Sequence, residues 1–220
     1  MFIHFGKPRQ ITELHTPGRV IAKMKREDVK MVVLDDEKFP YLDILKLHKF
    51  NIDTLNDINS LTTLEAYDVV LCDLNGVGKA FSEQYQGAYL VKEIYNRYPF
   101  KIIVSYTGIS FDARYNEYLK YADFSLKKDI ESEKWVEKLD MSIEMLSNLE
   151  KRWTKMRDFL LNNNVSLYNA MLLEDNLVKY IETGSKDEFP ATKLLNGIRG
   201  DIKDVLISFA GSAAVRLLMP

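Results

Sequence analysis

The sequence predicts an α/β protein, with a doubly wound five-stranded parallel sheet (a flavodoxin-like arrangement) followed by an all-helical extension. Short apolar runs alternate with amphipathic helical patterns from residue 30 to about residue 128. This alternation is typical of a parallel sheet with helices on both faces. Beyond that point only helical patterns remain. We therefore divide the 220 residues into an N-terminal arm (1–29), an α/β domain (30–147) and a helical dimerisation or output region (148–220).

Five stretches have the length and composition of buried strands. The three strongest are continuous apolar runs that begin at Met31, Val69 and Ile102. Two weaker stretches lie at residues 52–55 and 123–127. Since ligands of doubly wound sheets bind outside the carboxyl ends of the strands, the residues that close these runs are the candidates for a functional site.

The composition indicates a soluble globular protein, with 46% hydrophobic and 28% charged residues. The formal net charge of −2 gives no overall basic excess, so nucleic acid is not a favoured partner. The single cysteine, Cys72, excludes an internal disulfide and fits a reducing compartment. The sequence shows neither a signal-peptide pattern nor the roughly 20 apolar residues that a membrane span needs, so we expect a cytoplasmic protein.

Polar side chains close all three strong runs. Asp35 and Asp36 follow the first run, Asp73 the second, and Ser105 and Thr107 the third. Carboxylates that converge on one crevice repel each other unless a cation neutralises them, and Mg²⁺ prefers such oxygen ligands. A lysine at the same edge would pair with a phosphoryl oxygen. A carboxylate nucleophile, a metal, a hydroxyl and a lysine together indicate phosphoryl transfer.

Five segments, in this order, resemble the motifs of response-regulator receiver domains of two-component signalling. They are MVVLDDE (31–37), DVVLCDLN (68–75), YQGAYLVKEI (85–94), KIIVSYTG (101–108) and ADFSLKKD (122–129). The resemblance covers residues 30–147, which is about half the chain. It implies a response regulator in a phosphorelay, without enzymatic activity beyond its own phosphorylation, whose partner is a sensor histidine kinase or phosphotransfer protein.

The resemblance also implies a role for each acidic residue. Asp73 is the implied phosphoacceptor and Mg²⁺ the implied cofactor. The implied metal ligands are Asp35, Asp36, Asp73 and the backbone carbonyl of Asn75. Phosphorylation would act through the surface near the third strong run to change the packing of the helical region.

Two positions of the family pattern have adjacent candidates here. Thr107 is the implied hydroxyl, with Ser105 as the alternative, whereas counting from the start of the fourth strand puts Tyr106 in that position. Lys128 is the implied lysine, with Lys127 as the alternative.

The sequence departs from the family pattern around the phosphoacceptor. The loop between Asp73 and Gly87 is longer than usual and lacks the proline that commonly follows the aspartate, and the stretch between Asp36 and Asp73 is shorter than usual. These departures support one alternative, a pseudo-receiver that acts as a phosphorylation-independent protein-interaction module.

Two less favoured alternatives start from other features. DLNGVG (73–78) is similar to the nucleophile loop of haloacid-dehalogenase-type phosphatases, with GDIKD (200–204) as the acidic pair, but Asn75 replaces the general acid of that family. A DNA-binding regulator is the other alternative. The C-terminal region shows no recognition helix rich in Arg, Asn and Gln, and its charges are mixed.

A single long amphipathic helix is predicted from near Ile130 to Leu160. Its apolar residues recur at three-to-four spacing: Leu139, Ile143, Leu146, Leu149, Trp153, Met156 and Leu160. This stripe extends beyond what is needed to cover a sheet, so we predict a homodimer seam. A second helix is predicted up to about Thr183, and a third helical stretch from Pro190.

Overall fold

The computed structural model of the chain describes residues 7–14, 24–108, 113–183 and 199–212. The chain divides into two units. The α/β unit is Lys23–Leu146, and the helical unit combines Met1–Ala22 with Ser147–Pro220. We describe each unit by itself, on its described residues.

Five strands form one all-parallel sheet in the α/β unit, and this confirms the predicted fold class. The strands are β1 (Lys30–Leu34), β2 (Asn51–Leu55), β3 (Val69–Asp73), β4 (Ile102–Thr107) and β5 (Phe124–Lys127). Their order across the sheet is β2-β1-β3-β4-β5. The chain therefore runs outward from β1 to β2 and then returns to the other side of β1. The reversal opens a crevice at the carboxyl ends of β1 and β3, where this class of sheet binds its ligands.

The continuous apolar runs become the three central strands because both of their faces are covered. β1, β3 and β4 are buried along almost their whole length. The helices of this unit are α1 (Leu42–Leu47), α2 (Gln86–Arg97), α3 (Asn116–Leu119) and α4 (Ser132–Ser147). Trp135 and Leu139 of α4 are fully buried and belong to the same core cluster as Met31 and Leu71 of the sheet.

The prediction of one long helix from Ile130 to Leu160 is wrong. Helix α4 ends at Ser147, and a new helix, α5 (Leu149–Asn162), begins after Asn148. The backbone of Asn148 is extended (φ −97°, ψ 98°), and its side-chain oxygen accepts a hydrogen bond from the Lys151 amide at 2.9 Å. An asparagine in this position satisfies an amide that has no partner within the first turn, so it starts a helix.

The helical unit contains α5, α6 (Leu167–Thr183) and α7 (Gly200–Ala210), together with a short 3-10 helix at Ile11–Glu13. The N-terminal segment (residues 7–14) is bound to α6 by buried carboxylates. The Ile11 amide donates to Glu174 Oε1 at 2.9 Å, and the Arg9 amide donates to Asp175 Oδ1 at 3.2 Å. The helical stretch predicted from Pro190 begins outside the described residues.

The stripe on which the homodimer prediction was based is buried within this chain. Leu149, Trp153, Met156 and Leu160 of α5 are each at most 5% exposed in the single chain. The stripe therefore needs no partner chain to cover it, and the homodimer stays a prediction without this support. None of the helices in the described ranges has the length and apolar character that a membrane span requires.

Candidate functional site

The carboxyl edge of the sheet brings together three charged residues from three strands. Asp35 follows β1, Asp73 ends β3, and Lys128 follows β5. The Lys128 ammonium lies 3.0 Å from Asp35 Oδ2 and 3.1 Å from Asp73 Oδ2. The two aspartate side chains are only 2% and 7% exposed, and that of Lys128 is 17% exposed. Asp35 and Asp73 lie 93 and 55 positions from Lys128 in the sequence, and the three residues form one nearly buried cluster.

Burial and the neighbouring charges act on the pKa of Asp73 in opposite directions. Burial raises the pKa of Asp73, while hydrogen bonds from the Asn75 amide and Lys128 oppose that rise. Burial disfavours the charged form of Lys128, but the hydrogen bonds to Asp35 and Asp73 outweigh it and raise the lysine pKa. Two ionised carboxylates and one ammonium carry an excess of one negative charge, so the cluster favours a further cation.

Tyr106, which one count of the family pattern puts in the hydroxyl position, contacts Asp35, and sequence reasoning missed this contact. Its hydroxyl donates to Asp35 Oδ2 at 2.9 Å. The ring is fully buried, with centroids 5.6 Å from Phe39 and 5.4 Å from Trp135. Burial, and then the charge of Asp35, raise the pKa of Tyr106 far above its usual value, so the hydroxyl remains a donor. A tyrosine within a buried strand is the available signal, because its hydroxyl requires a partner.

Asp35 accepts hydrogen bonds from three protein groups. Its Oδ1 accepts from the Glu37 amide at 3.0 Å and from Lys128 at 3.1 Å. Its Oδ2 accepts from Tyr106 at 2.9 Å and lies 3.0 Å from the same ammonium. A carboxylate offers about four lone-pair positions. Asp35 therefore holds the lysine and offers at most one acceptor position to a metal in this arrangement, and its predicted role as a ligand stays a prediction.

Asp36 occupies a different position from its neighbour. It is exposed, and its carboxylate lies against Gly76, where a Cβ atom would be 2.0 Å from Asp36 Oδ1. Gly76 has a φ of +82°, and its amide donates to Gln86 Oε1 at 2.7 Å. The Asn75 amide donates to Asp73 Oδ1 at 3.1 Å. The Asp36 carboxylate therefore lies beside the loop that follows Asp73.

The oxygen donors beside this loop are of the kind that magnesium prefers. Within residues 7–14, 24–108, 113–183 and 199–212, no three His, Cys, Asp or Glu side chains are arranged as a metal site. Mg²⁺ does not require such a group, since it binds through one or two carboxylates and completes its shell with waters and phosphate oxygens. Asp36, Asp73 and the Asn75 carbonyl offer that kind of set.

The two candidate hydroxyls point to different places. Thr107 Oγ1 accepts from the Asn75 side-chain amide at 3.0 Å, and the Tyr115 hydroxyl donates to the other end of that amide at 3.1 Å. Ser105 lies 2.8 Å from the Ser125 hydroxyl and therefore faces β5. Of the two, Thr107 is the one at the loop that follows Asp73. Of the two candidate lysines, Lys127 is exposed and has no contact with the cluster in the described residues.

The long loop at residues 74–85 is held by a hydrogen bond at Gly78 and is followed by a close backbone contact at Gly87. The Gly78 amide donates to Asp57 Oδ1 at 2.6 Å. Where the loop ends, a Cβ atom on Gly87 would lie 1.8 Å from the Asp73 carbonyl oxygen. Only glycine lets the start of α2 approach the end of β3 this closely.

The phosphatase alternative finds no support in this arrangement. Its acidic pair, Asp201 and Asp204, lies in α7 (Gly200–Ala210), which belongs to the helical unit and not to the sheet. Asp201 forms an exposed ion pair with Arg199 at 2.5 Å.

Comparison with known proteins finds similarity to solved structures only. No protein-family model and no curated protein matches the chain. The receiver domain of a CheY-like response regulator from Methanospirillum hungatei JF-1 is 14% identical, with a TM-score of 0.46, over 54% of this chain and 95% of that one. A response regulator from Burkholderia pseudomallei, solved with a phosphorylated aspartic acid, a calcium ion and citrate, is 19% identical, with a TM-score of 0.43, over 66% and 90%.

A third match, the receiver domain of NtrX from Brucella abortus, is 19% identical, with a TM-score of 0.44, over 52% of this chain and 98% of that one. Identities and scores this low carry no argument about what this chain does, so we base the proposals below on its own residues. Many of the matching solved structures are response-regulator receiver domains, the family that the sequence motifs resemble, and these cover about half of this chain.

Proposed function

We propose that this chain is a response regulator whose α/β unit accepts a phosphoryl group on Asp73. One observation carries the proposal: the Asp73 carboxylate ends a central strand at the sheet crevice, 3.1 Å from the Lys128 ammonium. A carboxylate nucleophile beside a fixed cation is the arrangement that phosphoryl transfer to an aspartate needs.

In the proposed reaction, an oxygen of Asp73 attacks the phosphorus atom of a phosphohistidine on a kinase or phosphotransfer protein. The new P–O bond forms as the P–N bond breaks, and the leaving imidazole takes up a proton. Lys128 pairs with a phosphoryl oxygen, and the Thr107 hydroxyl donates to another. Asp36, Asp73 and the Asn75 carbonyl would hold Mg²⁺, which supplies further neutralisation of charge on the phosphoryl group.

Asp35 has a supporting role in this proposal. Its carboxylate contacts the Lys128 ammonium and holds it at the crevice, while hydrogen bonds from Tyr106 and the Glu37 amide fix the carboxylate itself. A lysine held in advance loses less side-chain entropy when a phosphoryl group arrives. The helical unit is then the proposed output or dimerisation region.

A pseudo-receiver remains the second candidate, and one observation favours it. Asp35 accepts hydrogen bonds from Lys128, Tyr106 and the Glu37 amide, which leaves its carboxylate less available to a metal. If the remaining oxygen donors bind Mg²⁺ too weakly, the crevice is a structural ion pair and the unit acts by protein interaction alone.

Phosphorylation of the full chain distinguishes the two candidates. We expect incubation with Mg²⁺ and a small phosphodonor to add one phosphoryl group by intact mass, and Asp73→Asn to abolish the addition. Asp43→Asn, an exposed change on α1, is the matched control and should react like wild type. A wild type that takes up no phosphate supports the pseudo-receiver, and a phosphorylated Asp73→Asn protein refutes the assignment.

The Asp73→Asn variant should remain folded, which makes its loss of reaction interpretable. Burial raises the Asp73 pKa, so the folded state favours the neutral carboxyl, and this contribution to stability is lost as the pH rises through the folded pKa. At pH 7 an ionised and buried Asp73 carboxylate would destabilise the folded state, and the neutral amide of asparagine avoids this destabilisation. We expect its thermal midpoint to equal or exceed that of wild type.

A further inference from the structure

The start of the loop after Asp73 is held by two consecutive backbone amides. The Asn75 amide donates to Asp73 Oδ1 at 3.1 Å, and the Gly76 amide donates to Gln86 Oε1 at 2.7 Å. The next side chain, that of Val77, is fully buried. The long loop therefore returns, through the side chain of Gln86, to the residues directly after the proposed phosphoacceptor.

The Gly76 amide and the Asn75 carbonyl belong to the same peptide group. That peptide group is trans, so it is planar and its N–H and C=O bonds point in opposite directions. Because Gln86 accepts from the N–H on one side, the Asn75 carbonyl oxygen is turned to the other side. Gln86 thus determines the direction of a carbonyl that it does not touch.

Glycine at position 76 makes a second orientation of this peptide group accessible. A flip of the group changes ψ of Asn75 and φ of Gly76, and glycine adopts positive and negative φ about equally readily. Gly76 has a φ of +82°, and a Cβ atom there would lie 2.0 Å from Asp36 Oδ1. The close approach of the Asp36 carboxylate therefore requires the residue that flips most easily, and the hydrogen bond to Gln86 selects one of the two orientations.

The backbone of Gln86 also indicates a specific role. Gln86 is the first residue of α2, and its φ is +45°. Among residues with a side chain, asparagine and aspartate tolerate this region best. Asparagine, however, is shorter by one methylene group than the glutamine that reaches the Gly76 amide. Strained backbone of this kind is typical of functional sites.

We infer that Gln86 is a positioning residue for Mg²⁺, because it holds the Asn75 carbonyl in the orientation that the ion needs. The inference rests on the proposed function, in which Asp36, Asp73 and the Asn75 carbonyl hold the ion. Without Gln86 the peptide group occupies both orientations, and the flipped one presents an N–H donor instead of an acceptor. Mg²⁺ then binds more weakly, while the carboxylates of the site are unchanged.

NMR of the full chain can follow this one peptide group. Labelling with carbonyl-¹³C asparagine and ¹⁵N glycine leaves two carbonyl-to-amide signals, because the sequence has only two Asn–Gly pairs, at 75–76 and 196–197. Gly197→Ala removes the second signal and so assigns the first. Titration with MgCl₂ then gives the Mg²⁺ dissociation constant from the shift of the Asn75–Gly76 signal, without any phosphodonor.

Gln86→Asn is the test variant. It favours the observed backbone and shortens the side chain, so we expect it to fold and to raise the Mg²⁺ dissociation constant about 10-fold, as the loss of a group behind a metal ligand commonly does. In the metal-free protein the Gly76 amide should exchange its hydrogen faster than in wild type. Gln84→Asn, the same change at an exposed loop position, is the matched control and should match wild type in both measurements.

Two comparisons exclude a merely structural effect. The Mg²⁺ concentration that gives half the maximal rate of phosphorylation by a small phosphodonor should rise about 10-fold in Gln86→Asn, with the rate at saturating Mg²⁺ close to that of wild type. Gln86→Glu keeps the length and an oxygen acceptor, so its Gly76 amide should exchange as slowly as in wild type.

The outcomes separate this inference from the proposed function. If Gln86→Asn and Gln84→Asn bind Mg²⁺ equally well, or if Gly76 exchange is the same in both, the inference is refuted and the proposed function stands. If wild type binds Mg²⁺ but takes up no phosphate, the proposed function fails, and the titration and exchange measurements still decide the inference. If wild type binds no Mg²⁺, the inference fails. If Gln86→Asn does not fold, Gln86→Met, which keeps the length and lacks the acceptor, replaces it with the same expected results.

Discussion

Removing the buried hydroxyl of Tyr106 gives the most direct test of how the crevice is held together. The Tyr106→Phe change deletes one oxygen atom, which donates to Asp35 Oδ2 at 2.9 Å, and leaves the ring among Phe39 and Trp135. A hydrogen bond to a charged group contributes about 1.5–3 kcal/mol. Asp35 is only 4% exposed, so water replaces the lost donor poorly. We expect the free energy of unfolding of the α/β unit to fall by about 1.5–3 kcal/mol.

Urea unfolding followed by tryptophan fluorescence measures this loss. The chain has two tryptophans, Trp135 in the α/β unit and Trp153 in the helical unit. In a Trp153→Phe background the fluorescence therefore reports the α/β unit alone. Trp135 lies 5.4 Å from the Tyr106 ring, so its native signal also shows whether the aromatic packing survives the substitution.

Tyr41→Phe is the matched control in the same aromatic cluster. Its ring lies 5.8 Å from those of Phe39 and Trp135, and its side chain is half-buried. Substitutions that remove no buried hydrogen bond usually change the free energy of unfolding by no more than about 0.5 kcal/mol. If Tyr106→Phe also stays within about 0.5 kcal/mol, or if both variants lose equal stability, the hydroxyl does not hold Asp35 in the way argued.

Two further substitutions test the ion pair and the close backbone contact. Lys128→Met leaves Asp35 and Asp73 buried without their shared cation, which should cost about 3 kcal/mol at pH 7.5. The loss should be smaller at pH 5, because Lys128 opposes the rise of the Asp73 pKa, and without the lysine that pKa lies higher in the folded state, which then binds a proton more readily. An equal loss at both pH values in urea titrations would contradict this. Gly87→Ala places a Cβ atom 1.8 Å from the Asp73 carbonyl oxygen and should cost about 2 kcal/mol, whereas Gly200→Ala, with no heavy atom within 4 Å of the added Cβ, should cost little.

The sheet could be predicted because each central strand is a continuous apolar run closed by polar residues. Such a run can be recognised as a strand without knowing which strands lie beside it. The helical patterns between the runs predict parallel strands, because a helix is the usual connection between parallel neighbours. The break at Asn148 could not be predicted in the same way. Leu146 and Leu149 lie three positions apart across the break, so the apolar spacing continues although the helix does not. The spacing of apolar residues shows which positions are buried, but it does not show that a single residue such as Asn148 ends one helix and caps the next.

The candidate site also has a part that the sequence predicts and a part that it does not. The positions of Asp73 and Lys128 at one sheet edge follow from where their strands end, so motif order was enough to propose them together. The bond between Tyr106 and Asp35 joins β4 to the residue after β1 across the intervening β3. It forms because the Tyr106 side chain is long enough to extend past β3, and no local sequence pattern predicts such a contact. The roles of these residues in phosphoryl transfer stay predictions.

The binding of residues 7–14 to α6 has a consequence for synthesis of the chain. Arg9 and its partner Asp175 are 166 positions apart, with the whole α/β unit between them. At typical rates of translation, Asp175 emerges roughly 8 to 33 s after Arg9. The α/β unit can fold within that interval, while the N-terminal segment has to wait for α6. A shortened protein that begins at residue 1 and stops after α4 therefore exposes a segment whose partners are missing, and an isolated α/β unit is better begun near Lys23.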